Sequence, residues 1–229
     1  MARNRSPKSR RIAGNDSVVV IGLGRFGRAL ALELVDEETE VLGIDENPEV
    51  VQMLARSLTH VVRADSTKEE VLRQLAVHEF DRAVVAIGTD LEASILTASL
   101  LISFGIRDVW AKAISEAHGR ILSQLGVHHV VYPEHDMGQR VAHLVRGRMM
   151  DYIEFEDDFA MVKTTPPASV VGKRLGDSGV RTRHGVTVVA IKRPGQDFTY
   201  ATADTVVEAD DTIIAAGRTR ATEHFSELQ

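Results

Sequence analysis

The sequence VVVIGLGRFG, residues 18–27, is the strongest indication of the fold. Its β-branched run, Val18–Ile21, predicts a buried strand, and Gly22, Gly24 and Gly27 follow with the spacing of a GxGxxG motif. Glycines at these positions permit a tight turn, let backbone N–H groups approach a pyrophosphate and let the next helix pack closely on the strand. The stretch therefore predicts a strand, a phosphate-binding loop and a helix in succession.

An acidic residue, Asp45, lies 18 residues after Gly27, at the end of a second β-branched run. A carboxylate at that place accepts hydrogen bonds from ribose hydroxyls and disfavours a 2′-phosphate. The site is therefore predicted to take NAD or an adenine nucleotide rather than NADP. One alternative stays open, which is a Rossmann-type sheet whose nucleotide site is empty or vestigial.

Short β-branched runs alternate with longer amphipathic ones from Asp16 onward, as βαβ units require. The predicted strands are Val18–Ile21, Val41–Ile44, His60–Val62, Ala83–Ile87, Val109–Ala113 and His129–Val131. The predicted helices are Arg28–Asp36, Pro48–Ser57, Lys68–Leu75, Glu92–Phe104, Glu116–Leu125 and Met137–Arg148. This alternation predicts an α/β fold with a Rossmann-type, doubly wound parallel sheet.

The pattern changes near Met150, after which Val186–Ile191 and Thr212–Ala216 read as strands and Val170–Leu175 as a helical turn. Two or three hairpin-like strands with a short helix indicate a small α+β domain. We expect a basic tail over residues 1–15, a Rossmann-type nucleotide-binding lobe over 16–136, a crossover helix over 137–150 and the small C-terminal domain over 151–229.

The composition excludes several classes of protein. The chain has 229 residues, of which 44% are hydrophobic and 26% charged, as in ordinary globular proteins. It contains no cysteine, which excludes a disulfide-stapled fold, a cysteine-ligated zinc site and a thiol nucleophile. The longest stretch without a charge, Ala93 to Ile106, is too short to span a bilayer, and no signal-peptide core occurs at the N-terminus. We therefore expect a cytoplasmic protein.

The net charge of −6 conceals an asymmetry. Residues 1–15 contain five basic side chains and no acid, so the rest of the chain carries 22 basic and 33 acidic side chains, a net charge of −11. An acidic body argues against a nucleic-acid partner. The basic tail is either a solvated leader or a weak contact with anionic lipid.

Polar residues follow the predicted strands at the edge where open α/β sheets bind ligands. Asp65 and Ser66 follow the third strand, Gly88 and Thr89 follow the fourth, and Lys112 lies inside the fifth. A lysine in an apolar parallel strand needs an anion or a route to solvent. Lys112 is therefore either an ion-paired or solvent-reaching side chain, or a phosphate contact.

The segment Glu134-His135-Asp136 opens the last long helix of the first lobe and has two interpretations. Acidic residues at a helix N-terminus interact favourably with the helix dipole, so the first is capping. The second is that one carboxylate, Glu134, serves a hard cation such as Mg²⁺ that nucleotide phosphates already hold.

Motifs for catalysis are missing from the sequence. It has no GxxxxGK[ST], HExxH or GxSxG, and neither His184 nor His224 stands beside an obvious acidic partner. The residues favour binding without turnover, so we predict that the chain is not an enzyme. The alternative is a small NAD-dependent oxidoreductase.

Several motifs occur together, namely Gly22–Gly27, Asp45, Ala86-Ile87-Gly88, Trp110–Ala113, Pro133–Gly138 and Gly185–Ile191. In this combination the chain, from Asp16 onward, resembles the RCK family, the cytosolic regulators of potassium uptake of the KtrA/TrkA type. The resemblance implies dimers assembled into a ring, which we expect to be an octamer, under a membrane-embedded potassium-translocating subunit at the inner face of the cell membrane. It also implies gating by ATP against ADP, with NAD(H) binding in some members. A nucleotide-sensing module for another transporter is a further alternative.

The resemblance assigns nucleotide contacts to Arg25, Phe26, Asp45, Asn47, Asp65, Ser66, Ile87, Gly88, Thr89, Lys112, Ala113, Ile114 and His118. Arg25 lies within the glycine loop, where a guanidinium can reach a terminal phosphate and so detect the γ-phosphate. Glu134 resembles the family's acidic residue at the dimer interface, near the phosphates and a bound cation.

The small domain of many relatives binds cyclic di-AMP between two copies, and the matching segment here is Leu175–Arg181. The resemblance assigns this second ligand to Leu175, Val180 and Arg181. The sequence departs from the pattern at Gly176, where an apolar side chain is usual, and at His184, where an aromatic residue, usually tyrosine, is usual. Both departures remove apolar contact with an adenine, so binding of cyclic di-AMP stays an open alternative.

Overall fold

The computed structural model describes residues 17–146 and 149–228, except for the side chain of Arg146. The predicted basic tail over residues 1–15 lies outside this part of the chain, so both of its interpretations stay predictions. Two compact units share the described residues, and the boundary between them falls between Glu134 and His135. No helix among the described residues combines the length and the apolar composition that a membrane crossing requires.

The first unit is built on a parallel sheet. Its strands are β1 Ser17–Ile21, β2 Glu40–Asp45, β3 His60–Arg63, β4 Arg82–Val85, β5 Asp108–Lys112 and β6 His129–Val131. Every neighbouring pair is parallel, in the order β3-β2-β1-β4-β5-β6. The direction of strand succession reverses between β1 and β4, which is the switch point where doubly wound sheets bind ligands. The predicted Rossmann-type sheet is confirmed.

Six α-helices connect these strands or follow them: α1 Arg25–Asp36, α2 Pro48–Leu54, α3 Glu69–Gln74, α4 Leu91–Ser103, α5 Glu116–Gln124 and α6 Pro133–Arg146. A short 3₁₀ turn, Val77–Glu79, precedes β4. Two helices begin three or four residues earlier than the sequence predicted. Helix α1 begins at Arg25 because Gly24 serves as its N-cap, and α6 begins at Pro133 because proline fits the first turn of a helix.

Buried side chains alternate between the two faces of β1, so helices cover both faces of the sheet. Val19 and Ile21 belong to one apolar cluster with Leu101 of α4, whereas Val18 and Val20 belong to another with Ala31 of α1. The C-terminal ends of the strands are thereby fixed on a rigid scaffold, and the polar residues that follow them share one edge.

The second unit contains an antiparallel sheet. Its strands are β7 Asp151–Phe155, β8 Phe159–Thr164, β9 Val186–Lys192, β10 Thr199–Tyr200 and β11 Thr212–Arg218, in the order β10-β9-β11-β8-β7. Its further helices are α7 Leu175–Ser178, α8 Val180–His184 and α9 Thr219–Glu227. The predicted small α+β domain is confirmed, while the exact domain limits stay predictions.

The sequence predicted two or three strands for this second sheet, and the structure has five. The β7–β8 hairpin was not predicted. Its turn has Asp157 and Asp158 at φ 60° and 59°, whereas asparagine and glycine are the residues that usually indicate such a turn. Near the predicted helical turn at Val170–Leu175, the Val170 N–H donates to the carbonyl oxygen of Pro167 and the Lys173 N–H to that of Val170, and helix α7 begins only at Leu175.

Candidate nucleotide-binding site

The loop after β1 takes a shape that requires glycine. Gly22 has φ +89°, and a Cβ there would lie 2.9 Å from the backbone nitrogen of Ile87. A Cβ on Gly27 would lie 1.9 Å from the carbonyl oxygen of Gly22, so α1 packs directly on the loop. A Cβ on Gly24 would meet no atom within 4 Å, which leaves that part of the loop open. The three glycines thus perform the three tasks expected of them.

Helix α1 begins at this loop without a local anion. Its N-cap, Gly24, makes no side-chain hydrogen bond, and its first turn contains Arg25 but no acidic residue. The N–H groups of a first helical turn and the helix dipole both favour a negative charge at this end. The arrangement suits a phosphate group.

Asp45, at the end of β2, braces the same loop. One carboxylate oxygen accepts a hydrogen bond from the backbone N–H of Leu23 at 2.6 Å, and the other accepts one from Asn47 at 2.8 Å. Each oxygen retains acceptor capacity for a further donor, because an ionised carboxylate offers about four lone-pair sites. Asp45 therefore both fixes the glycine loop and lies where a ribose hydroxyl could donate.

An open cleft of about 650 Å³ lies at the ends of β2 and β3, lined by Glu46, Asn47, Arg63, Ala64 and Asp65. The side chain of Asn47 accepts from the Glu49 N–H at 2.9 Å and so caps α2. Hydrogen bonds from the Thr67 hydroxyl and N–H hold the pKa of the Asp65 carboxyl below its usual value. Asp65 is thus ionised and rigidly held beside the cleft.

A charged pair lies at the end of β5. Lys112 is only 8% exposed, and its Nζ donates to Oε1 of Glu134 at 2.5 Å. The ammonium group holds the pKa of the Glu134 carboxyl below its usual value, and Arg25 adds a weaker favourable charge. The Lys112 Nζ also lies 5.9 Å from the ring centre of Phe26 and 3.1 Å from where a Cβ of Gly88 would be. Lys112 is therefore ion-paired, which agrees with one of its two predicted alternatives, and its contact with a phosphate stays a prediction.

Two predicted contact residues have side chains directed at protein partners. The Ser66 hydroxyl lies 2.9 Å from the Thr97 hydroxyl of α4, with both side chains buried. His118 is 2% exposed, and its Nδ1 accepts from the Ile114 N–H at 3.4 Å. Burial lowers the pKa of the His118 imidazole. The assignment of Ser66 and His118 as nucleotide contacts stays a prediction. Their hydrogen bonds to Thr97 and Ile114 indicate that both residues support the structure underneath the site.

The remaining predicted residues fall at the same edge of the sheet. After β4, Ile87 is half-buried and Thr89 is exposed, Ala113 is buried and donates its N–H to Val131, and Ile114 is 46% exposed. The structure thus brings together the glycine loop, Asp45, Gly88 and the Lys112–Glu134 pair at the ends of four strands and the start of α6.

Family models match both units of the chain. A TrkA-N domain matches residues 18–133 and a TrkA-C domain matches residues 159–229. The chain belongs to the TrkA family. This confirms the predicted membership of the RCK proteins of the KtrA/TrkA type.

Relatives of this TrkA-family chain align over most of their length. The Ktr system potassium uptake protein C of Bacillus subtilis (strain 168) is 36% identical, over 86% of this chain and 90% of the relative. The Ktr system potassium uptake protein A of Vibrio alginolyticus is 33% identical, over 89% and 93% respectively. A solved GsuK channel has a TM-score of 0.66 at 18% identity, over 94% of this chain and 40% of that chain, and this likeness shows the fold alone.

The sequence reading missed two residues that line the cleft of this TrkA-family site, Glu46 and Arg63. The Arg63 guanidinium donates to the backbone carbonyl oxygen of Glu46 at 3.0 Å, which joins the ends of β3 and β2. Position was the available signal, because Arg63 directly follows one predicted strand of the parallel sheet and Glu46 lies two residues after another.

The segment assigned to cyclic di-AMP lies in the second unit. Val180 is buried in the core of that unit and Leu175 packs against it, while Arg181 donates to the Thr187 hydroxyl at 3.1 Å. A Cβ on Gly176 would lie 3.2 Å from the carbonyl oxygen of Ala203. A larger residue at 176 would therefore strain its neighbour, so glycine has a packing reason here.

Proposed function

We propose that the chain is a nucleotide-sensing regulatory subunit that gates a membrane-embedded potassium-translocating partner. The observation that carries the proposal is that two features meet at one edge of the sheet. One is the glycine loop, where helix α1 begins without a side-chain cap, and the other is the buried Lys112 with its partner Glu134. This arrangement supports binding of a nucleotide without supplying groups for turnover. The relatives named as Ktr potassium uptake proteins support the role in potassium transport, and the chain aligns with 90–96% of their length.

The proposed nucleotide lies with its phosphates at the glycine loop and its ribose at Asp45. ATP and ADP are the proposed physiological ligands, and a GsuK channel solved with NAD supports NAD(H) as a further one. A terminal phosphate near Arg25 would compete with Glu134 for the Lys112 ammonium group, because both ligands are anions and Lys112 carries one charge. Because Glu134 belongs to the first turn of α6, this exchange transmits the presence of a γ-phosphate to that helix.

A divalent cation fits this proposal only with the nucleotide's help. Among the described residues, no group of three histidine or acidic side chains could hold a metal ion. Glu134, once displaced from Lys112, would supply one oxygen ligand, and the phosphates would supply others. Mg²⁺ bound in this way would neutralise phosphate charge.

The proposed assembly is a ring of dimers at the inner face of the membrane. In such a ring, a small difference in binding free energy at each site is sufficient to switch the whole assembly. Moving a two-state equilibrium from 1:99 to 99:1 needs about 5.5 kcal/mol. Shared among eight copies, each site contributes about 0.7 kcal/mol, which is the net value of one modest hydrogen bond. The second unit, through Arg181, is the proposed site for cyclic di-AMP if that ligand binds.

Mass spectrometry of nucleotides retained by the purified chain tests the proposal, followed by calorimetry with ATP, ADP and NAD. We expect a bound adenine nucleotide and different affinities for ATP and ADP. Potassium uptake in cells that express the chain with its membrane partner should then respond to Lys112→Gln, with Lys173→Gln in the second unit as the exposed-lysine control. Equal affinities for ATP and ADP would refute the switch, and absence of any nucleotide binding would refute nucleotide sensing altogether.

A further inference from the structure

The N-terminus of α5 is closed by two reciprocal hydrogen bonds. Ser115 is the N-cap, and its hydroxyl accepts from the backbone N–H of His118 at 3.2 Å. In return, Nδ1 of His118 accepts from the backbone N–H of Ile114 at 3.4 Å. This is a variant of the capping box, in which the third helical residue, usually glutamate or glutamine, accepts from the N–H of the N-cap; here its acceptor reaches the residue before the N-cap. In this chain the third helical residue is a histidine.

The box fixes the segment that follows β5 at the candidate site. Ile114 lies two residues after Lys112, and its Cγ2 is 3.7 Å from where a Cβ of Gly88 would be. Ile114 is 46% exposed, so the segment presents surface to a ligand although His118 does not. The position of residues 113–115 therefore depends on a contact made by a buried imidazole.

We propose that Ser115 and His118 form a titratable capping box that positions residues 113–115 for nucleotide binding and opens on acidification. His118 is thus a positioning residue and not a direct nucleotide contact. The inference rests on the proposed nucleotide-binding function and adds regulation by pH to it.

The chemistry follows from the two ring nitrogens. To accept at Nδ1, the neutral imidazole carries its proton on Nε2, which is buried with no hydrogen-bond partner among the described residues. Protonation would place N–H groups on both nitrogens, so that Nδ1 would oppose the Ile114 N–H. It would also bury a positive charge at the positive end of a helix.

Among the described residues, the charged groups around His118 lie at the surface. On α5, Glu116 and Arg120 are exposed, as are Glu92 of α4 and His129 of β6, the two elements that pack most extensively against α5. Tyr132 packs over the neighbouring Gly119. Because the folded-state pKa of His118 is lowered from 6.5, the box is intact above that pH and is lost as the pH falls through the folded-state value.

The test compares ATP affinity of the full chain by calorimetry from about pH 7.5 to about pH 5. Wild type and the control His78→Asn, which changes an exposed histidine on the 3₁₀ turn and keeps His118, should both lose about three- to tenfold more ATP affinity on acidification than His118→Asn. His118→Asn keeps an uncharged acceptor at the Nδ1 position, so it should bind ATP at neutral pH and lack this additional loss. His118→Leu should bind weakly throughout. A wild-type profile retained by His118→Asn would overturn the proposal.

A measurement without nucleotide separates this proposal from the proposed function. NMR should show the Nε2–H tautomer of His118 at neutral pH, with the Ile114 amide shift titrating at the same midpoint as the His118 ring. His118→Asn should abolish that titration, and His78→Asn should leave it unchanged. An Ile114 amide that does not follow His118 refutes the box even if ATP binds, whereas coupled titration without ATP binding refutes the proposed function alone.

Discussion

The two ends of the candidate site are held by different kinds of contact. At the glycine loop, steric necessity at Gly22 and Gly27 and two backbone hydrogen bonds to Asp45 fix the chain in one conformation. At the end of β5, an ion pair between the side chains of Lys112 and Glu134 occupies the place where a phosphate would be attracted. The first end is built to stay as it is, whereas the second is held by a contact that an anionic ligand can replace.

The difference teaches where recognition and response reside. A loop fixed by backbone geometry changes little on binding, so it supplies affinity for any nucleotide. An exchangeable ion pair supplies a difference between ligands, which is what shifts a conformational equilibrium. Substitutions at the two ends should therefore have different signatures, with large general effects at the loop and smaller ligand-dependent effects at the ion pair.

The largest expected effect belongs to Gly27→Ala. Its Cβ would lie 1.9 Å from the carbonyl oxygen of Gly22, so either α1 or the loop must move. We expect a loss of about 3 kcal/mol or more in the free energy of unfolding, measured by urea titration, after the helix-propensity gain of about 1 kcal/mol is overcome. Nucleotide binding should also be lost.

The matched control for this substitution is Gly138→Ala in α6, where a Cβ would meet no atom within 4 Å. There the same chemical change should be neutral or stabilising by up to about 1 kcal/mol. Equal behaviour of the two variants would contradict the claim that α1 packs on the loop.

Asp45→Asn should reduce nucleotide affinity by about 1.5–3 kcal/mol, roughly tenfold or more, because it replaces a charged acceptor for ribose hydroxyls. It also turns an amide N–H₂ toward one of the two backbone donors, Leu23 or Asn47, and so loosens the loop. Calorimetry with ADP measures the effect. Glu46→Gln, which removes a neighbouring charge in the same cleft, should change affinity far less. Similar losses in both variants would show that only net charge matters.

The fixed end of the site could be predicted from the sequence because its constraints are local. A glycine spacing and an acid after the second strand determine Gly22, Gly27 and Asp45, and parallel strand order then brings them together. The Rossmann-type unit follows from the same alternation of strands and helices.

The exchangeable end could not be predicted to the same degree, because its partners are distant in the chain. Lys112 and Glu134 are 22 residues apart, and Ser66 and Thr97 are 31 apart. The sequence left two interpretations open for Lys112 and two for Glu134, and it did not predict that these two side chains form a pair. The pairing of Lys112 with Glu134 depends on tertiary packing, which also outweighed turn signals in the β7–β8 hairpin.

Arg25→Ala should narrow the difference between ATP and ADP affinity by about 1 kcal/mol, roughly fivefold, because Arg25 is an exposed cation beside the phosphate end of the site. Adenosine affinity should not change. The control is Arg28→Ala, one turn further along α1, whose guanidinium lies by Met53. Calorimetry with the three ligands distinguishes the outcomes, and full ATP/ADP discrimination in Arg25→Ala would remove Arg25 as the phosphate sensor.

Glu134→Gln should have the smallest effect, and it should carry two opposite signs. Without the carboxylate, Lys112 has no anionic competitor, so ATP should bind more tightly when Mg²⁺ is absent. Stability at neutral pH should fall by less than about 1 kcal/mol, because Glu134 is 65% exposed and its attraction to Lys112 is screened. The Glu134 pKa is lowered from 4.5 in the folded chain, so its stabilising contribution is present above that pH and is lost as the pH falls through the folded-state value.

Urea unfolding at about pH 6 and about pH 3 should therefore show that Glu134→Gln loses less unfolding free energy on acidification than wild type does. Glu69→Gln, which breaks the exposed Glu69–Arg73 pair on α3, should keep the wild-type acid loss and leave ATP affinity unchanged. Tighter ATP binding in Glu69→Gln as well would mean that a general loss of negative charge, and not release of Lys112, explains the result.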